Sequence, residues 1–133
     1  MKKIFISMVS IYFTQTLIAQ CDSTYSYYSD MPSNVTILVG DSCLHDDDIA
    51  VLDSLIFING LDYNSPLELG TQTWFYGRLR FLVAGNYGNS SGVNDTIYYL
   101  PENIGNWSNL ASLYLEWNRI SALPGTFSNL TSL

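Results

Sequence analysis

Residues Leu110–Leu133, LASLYLEWNRISALPGTFSNLTSL, space their apolar side chains as L-x-x-L-x-L-x-x-N-x-I-x-x-L-P-x-x-F-x-x-L. Laid over itself at an offset of 23 residues, the chain matches at Ile97 and Ile120, Leu100 and Leu123, Pro101 and Pro124, Ile104 and Phe127, Trp107 and Leu130, and Leu110 and Leu133. Self-similarity at a fixed period marks a chain built from one supersecondary unit used more than once. Alternation around Leu113 and Leu115 predicts a short strand, with Leu110 on its approach. Ile120, Leu123, Phe127 and Leu130 then return along an arc to close the unit. Asn118 stands where the chain leaves the strand, and its amide can bond backbone of its own turn and of the neighbouring unit.

The pattern resembles the leucine-rich repeat in its LP-containing form. The resemblance implies an α/β solenoid whose interior is lined by Leu110, Leu113, Leu115, Asn118, Ile120, Leu123, Phe127 and Leu130. The preceding unit keeps Leu100, Pro101, Ile104 and Trp107, but 23 residues before Leu113, Leu115 and Asn118 stand Ser90, Gly92 and Asp95. Its strand half lies further upstream, with Leu79, Leu82 and Ala84 facing inward and Asn86 or Tyr87 at the turn. Eighteen steps separate Leu79 from Ile97 where Leu110 to Ile120 takes ten, so about eight residues must bulge out. The Gly-, Ser- and Asn-rich run Tyr87–Asp95 reads as that loop, most simply as solvated slack.

The N-terminus sets the compartment. Lys2 and Lys3 precede an apolar run from Ile4 to Ala19, interrupted by Ser7, Ser10, Thr14, Gln15 and Thr16. This is the n-region and h-region of an export signal over residues 1–20, too short and too broken for a membrane span, with cleavage after Ala19 or Gln20. In an exported chain the two cysteines, Cys21 and Cys43, read as a disulfide. A lipid-modified Cys21 at the mature terminus is the alternative, against which Gln20 counts. Without the leader, Arg78, Arg80 and Arg119 face twelve carboxylates, a net charge of −9. No basic patch remains to displace counterions, so nucleic acid and anionic lipid surfaces are excluded as partners.

Between Cys43 and the first unit, HDDDIAVLDSLIFINGLD carries Ile49, Leu52, Leu55, Ile56 and Ile58 at helical spacing. Asp46–Asp48 supply an N-cap and negative charge at the positive end and Gly60 a stop, which predicts a helix over about 47–59. Consecutive carboxylates at a helix start cannot all point at one ion, so the Asp run reads as capping rather than as a calcium loop. After the helix, G-T-Q-x-W-x-x-G-R-L, ending in Leu79, together with the CDS start and Cys43, is similar to bacterial secreted leucine-rich repeat proteins of the LP type. That likeness makes residues 21–78 an N-terminal capping region, with Trp74 in the core, and residues 79–133 the repeats, the third cut off at Leu133.

No catalytic constellation is present. His45, the single histidine, has no nucleophile or second imidazole beside it and reads as an exposed residue near the helix cap. Neither G-x-S-x-G, H-E-x-x-H, C-x-x-C nor a phosphate-cradling glycine loop occurs, and no cofactor is implied. The leucine-rich repeat resemblance implies binding through a concave strand face. Outward positions there are Ala111, Ser112, Tyr114, Glu116 and Trp117, matched upstream by Arg80, Phe81, Val83 and Gly85. From these, Arg80, Phe81, Ser112, Tyr114, Glu116 and Trp117 are singled out as the ligand-binding set, with a protein or carbohydrate as partner. The expected protein is a secreted or cell-surface adhesion module and not an enzyme. The alternative is a targeting arm attached to a secreted enzyme.

Overall fold

The structure is a computed structural model that describes residues 10–12 and 20–133. The export-signal expectation falls mostly on residues 1–9 and 13–19, outside the described residues.

The first strand, β1 (Tyr25–Tyr27), pairs antiparallel with β3 (Cys43–His45) in a two-stranded ribbon. Between them in sequence comes β2 (Val35–Val39). Helix α1 spans Asp46–Asn59, followed by β4 (Thr71–Phe75), β5 (Arg78–Val83) and β6 (Ser112–Tyr114). The larger sheet has the order β2-β4-β5-β6, parallel between β2 and β4, antiparallel between β4 and β5, and parallel between β5 and β6. Short 3-10 turns at Pro66–Glu68, Glu102–Asn106 and Gly125–Asn129 complete the chain, the last two packed against each other.

This arrangement corrects the solenoid expectation. A solenoid contributes one strand per coil to a sheet of parallel strands, each coil touching only its neighbours. Here two strands of the larger sheet, β2 and β4, come from the stretch 21–78, and β4 turns straight back into β5 as a hairpin. The reversal takes two residues, Tyr76 at φ 49° and Gly77 at φ 72°, both in the left-handed region that a primed hairpin turn requires. The stretch 21–78 is therefore part of the sheet and not a lid over a stack of coils. The described residues form a small α/β domain with a mixed sheet.

Side-chain alternation accounts for the sheet's two faces. In β4, Gln72 and Trp74 are buried, while Thr71 and Thr73 lie on the other face. A bulge between Thr73 and Trp74 sets Thr73 opposite Phe81 and Trp74 opposite Leu79, so Leu79 and Leu82 both face inward although three residues apart. Gln72 is buried without penalty because its Nε2 donates to the carbonyls of Pro66 and Leu69, both at 2.9 Å, and its Oε1 accepts from Trp74 Nε1 at 3.1 Å. Val51, Leu52 and Leu55 of α1 join Trp74, Leu79, Leu82, Ile97, Ile104 and Trp107 in one buried cluster.

The helix starts differently from the capping expectation. His45, not an aspartate, is the N-cap, and its Nδ1 accepts the Asp47 N–H at 3.2 Å. It is half-buried, with its ring edge-on to Tyr25, rather than free in solvent. The three aspartates divide the work. Asp46 accepts the Ser26 hydroxyl, Asp47 stays exposed at the positive helix end, and Asp48 turns inward with no exposed surface. At the other end Gly60 at φ 61° closes a Schellman motif, with Gly60 N–H donating to Phe57 O and Leu61 N–H to Ile56 O.

Candidate functional site

The outer face of the larger sheet carries three of the side chains singled out from sequence, Phe81, Ser112 and Tyr114. The register sets Thr36 beside Thr73, Thr73 beside Phe81 and Phe81 beside Ser112, a row crossing all four strands. The next row holds Thr71, Val83 and Tyr114. Phe81 is at the margin of exposure, and Tyr114 is about half exposed. Arg80 sits in the bulge, half-buried, with Nη1 donating to the Asn109 carbonyl at 3.0 Å. Its charge is thereby tied to the protein's own backbone.

Past β6 the chain turns through Glu116 and Trp117. Trp117 has φ 62° and is 79% exposed. A bulky residue with positive φ is a genuine backbone outlier, costing on the order of 1 kcal/mol where Asn or Gly would fit freely. Two unfavourable properties thus coincide at one aromatic residue: backbone strain and an apolar ring left in water. Glu116 accepts a hydrogen bond from the Tyr87 hydroxyl, and the bond acts on both groups. It pushes the Tyr87 phenol above its ordinary pKa and holds the Glu116 carboxyl below its own.

Tyr87 is the residue that sequence reasoning left at an undefined turn. Its ring lies over Gly85, where any Cβ would collide with it. The expected outward position of Gly85 is therefore occupied by the Tyr87 ring, which brings a phenol into the company of Glu116 and Tyr114. Glycine at 85 was the available signal, since a bare backbone beside an aromatic invites such a close approach. Thr36 and Thr73 were missed for a different reason, having been assigned to a cap that would cover coils instead of extending the sheet.

The loop after Tyr87 also departs from expectation. Val93 is buried and its N–H donates to Gly85 O at 3.0 Å. Thr71 Oγ1 donates to Ser91 O at 2.7 Å, and Asn94 Nδ2 to Asp62 O at 3.0 Å. Apolar anchoring at Val93 and three backbone-directed bonds tie the second half of this segment to the packed structure, while Gly88–Ser91 stay exposed as a solvated loop would.

Of the interior set, Leu110 and Leu130 are buried, and Leu113, Leu115, Ile120 and Phe127 are half-buried. Leu123, expected to close the arc from inside, is 59% exposed. Pro124 directs the chain into the 3-10 turn at Gly125–Asn129, which packs on Glu102–Asn106 and leaves Leu123 outside that contact. Asn118 Nδ2 donates to Ala84 O at 2.8 Å and Leu115 O at 3.1 Å, while its Oδ1 accepts Ile97 N–H at 2.9 Å. One amide therefore ties together three backbone segments.

Cys21 and Cys43 form a disulfide with Cα atoms 5.6 Å apart, which is consistent with an extracellular location. Among the described residues no helix is long and apolar enough to cross a membrane, and no three His, Cys, Asp or Glu side chains converge as a metal site. Compared with known proteins, the chain matches no family model, and no curated protein or solved structure is significantly similar to it.

Proposed function

We propose that the protein is an exported recognition module that binds a protein or carbohydrate through the outer face of its four-stranded sheet. The carrying observation is Trp117, held exposed in a left-handed backbone conformation beside Glu116 and three residues from Tyr114. Strain retained at an exposed aromatic has no use in packing, and aromatic residues are the side chains most enriched at binding hot spots. The hydrogen bond from Tyr87 preorients Glu116, and Phe81, Ser112, Thr73 and Thr36 extend the surface across the sheet. The leader-like N-terminus and the Cys21–Cys43 bridge support export, in which the mature chain would begin at Gln20 or Cys21. Likeness to the leucine-rich repeat family belongs to this proposal at the level of sequence only.

The test is a binding screen of the full chain against extracellular polysaccharides and surface proteins, repeated with Trp117→Ala, Tyr114→Ala and Ser29→Ala. Loss of about 1–2 kcal/mol or more in the two aromatic variants, with Ser29→Ala unchanged, is the expected result. Equal behaviour of all three variants overturns the assignment of the face. A reading as a targeting arm for a secreted enzyme predicts the same losses, together with a faster reaction of the linked enzyme on the bound material.

A further inference from the structure

A second surface, separate from the outer sheet face in the elements that build it, has the construction of a small binding groove. Residues Tyr98–Leu100 and Glu102 form one wall and Ser121–Pro124 the other, bordering an open depression of about 250 Å³. That is just below the ~300–1,000 Å³ of sites for drug-sized ligands, a size suited to one ring and its substituents.

The groove's first wall is fixed in place. Asn59, the last residue of α1, accepts the N–H groups of Tyr98 at 2.8 Å and Tyr99 at 2.9 Å through Oδ1, and donates through Nδ2 to Tyr99 O at 2.9 Å. Upstream, Ile97 is held on both sides, its N–H by Asn118 Oδ1 and its carbonyl by Arg119 N–H at 3.0 Å. Downstream, Leu100 is buried. A segment held at every peptide unit presents two large rings to water. Tyr99 is 63% exposed, and the Tyr98 and Tyr99 rings are tilted by 43° with centroids 6.4 Å apart.

The chemistry of the lining selects its occupant. No lysine or arginine lines the groove, which disfavours phosphates, sulfates and carboxylates. An extended peptide docks by main-chain hydrogen bonds, and the wall that carries the two rings offers it little, because the N–H groups of Tyr98 and Tyr99 and the Tyr99 carbonyl are taken by Asn59. The groove offers ring face, the hydroxyls of Tyr98, Tyr99 and Ser121, the backbone groups of Ser121–Leu123 on the opposite wall, and the carboxylate of Glu102. A pyranose is complementary to that combination. Its C–H face packs on an aromatic ring, and its equatorial hydroxyls donate to a carboxylate and exchange bonds with hydroxyls.

We propose that this groove binds an uncharged pyranose unit of a glycan, stacked on Tyr99 and hydrogen-bonded to Glu102. The site is independent of Trp117 and stands whether or not the outer sheet face binds anything.

The experiment titrates the full chain with the soluble hexasaccharides of β-1,4-linked glucose, N-acetylglucosamine and mannose, following heat of binding and tyrosine fluorescence. Binding of at least one hexasaccharide is expected, with Tyr99→Ala weakening it by about ten-fold or more. Glu102→Gln, which keeps shape but weakens the acceptor, should cost about three-fold or more. Trp117→Ala should leave the affinity unchanged. Tyr99→Phe, which keeps the ring, should retain most of the binding and covers the case in which Tyr99→Ala lowers the melting temperature. Absence of binding to all three sugars, or wild-type affinity in Tyr99→Ala with its fold intact, overturns the proposal. So does a loss in Trp117→Ala equal to that in Tyr99→Ala, which would move the sugar to the outer sheet face.

Discussion

Asp48, fully buried, and Arg78, partly exposed, form a two-pronged ion pair, with Nε to Oδ2 at 2.8 Å and Nη2 to Oδ1 at 2.9 Å. The same carboxylate accepts the Leu79 N–H at 2.8 Å, and the Asp48 backbone carbonyl accepts Trp107 Nε1 at 3.0 Å. The start of α1, the return strand of the hairpin and the turn at Glu102–Asn106 thus meet at one residue. Arg78 is further bound to Asn106 O and Ser108 Oγ, each at 3.2 Å. The hydrogen bonds that the guanidinium donates to Asp48, above all, raise its pKa beyond its already high value. Arg78→Ala leaves the fully buried Asp48 carboxylate without its counter-ion and should cost about 3–5 kcal/mol in urea unfolding, whereas Asp48→Ala leaves a guanidinium that still reaches solvent, Asn106 O and Ser108 Oγ and should cost less. Because Asp48 also serves Leu79 N–H, the double variant should not recover the loss; full recovery would show that the ion pair alone sets the cost.

Asn118 is the second polar keystone. Asn118→Ala would leave Ile97 N–H, and the carbonyls of Ala84 and Leu115 on their Asn118 side, without partners. At roughly 1–3 kcal/mol for each buried group left unmet, a total loss of at least ~2 kcal/mol is expected, with faster amide exchange at Ile97. An Asn118→Asp variant keeps the acceptor for Ile97 but sets a carboxylate oxygen against the Ala84 and Leu115 carbonyls, and should cost at least as much as Asn118→Ala.

Trp117 separates stability from binding. Asn tolerates the left-handed region that Trp117 occupies at φ 62°. Trp117→Asn should therefore leave the melting temperature equal or raise it, by up to about 1 kcal/mol of stability, while weakening ligand capture. A marked drop in melting temperature would mean that the indole packs more than its exposure indicates.

The Tyr87–Glu116 bond makes a prediction in pH. The folded-state pKa of Glu116 lies below its unfolded value, chiefly because Tyr87 donates to the carboxylate. The bond's small contribution is therefore present above the unfolded pKa, near 4.5, and is lost as pH falls through the lower folded pKa. Carbon-detected NMR titration should place the Glu116 midpoint below the usual glutamate range, and Tyr87→Phe should return it upward. An unchanged midpoint in that variant would remove Tyr87 as the cause.

Much of the local structure was legible because it rests on short-range patterns. Helical spacing from Ile49 to Ile58 with Gly60 after it marks the helix that runs Asp46–Asn59. Leu79, Leu82 and Ala84 are all buried, and Leu82 pairs with Leu113 across the parallel β5–β6 contact, at the separation the loop count requires. The overall architecture was not legible, since which strand a segment joins depends on contacts far apart in sequence. Nothing in VTILV says that Val35 will lie beside Gln72, or that the sheet will be extended past β4 instead of stacked coil by coil. Asp48 was hidden for a related reason: within a run of three aspartates, only the fold decides which one turns inward to Arg78, thirty residues on. Of the proposed binding residues, Tyr114 was legible as an outward strand position and Trp117 as an aromatic beside it in sequence, whereas Tyr87 entered through a close approach to Gly85 that becomes visible only in three dimensions.

The two-residue reversal at Tyr76–Gly77 also bears on how the chain reaches this state. It joins the only pair of strands in the larger sheet that are close in sequence; β2 must find β4 across 37 residues, from Val35 to Gln72, and β5 must find β6 across 31, from Leu82 to Leu113. Closing those long loops spends chain entropy before any contact rewards it, whereas a hairpin forms on the order of microseconds. The β4–β5 hairpin is thus the natural nucleus, and the kinetic barrier lies in recruiting the two outer strands to it. Gly77→Ala, strained at φ 72° within the turn, would then slow refolding, while its clash with Cys43 O and the Tyr25 ring, both outside the hairpin, would speed unfolding.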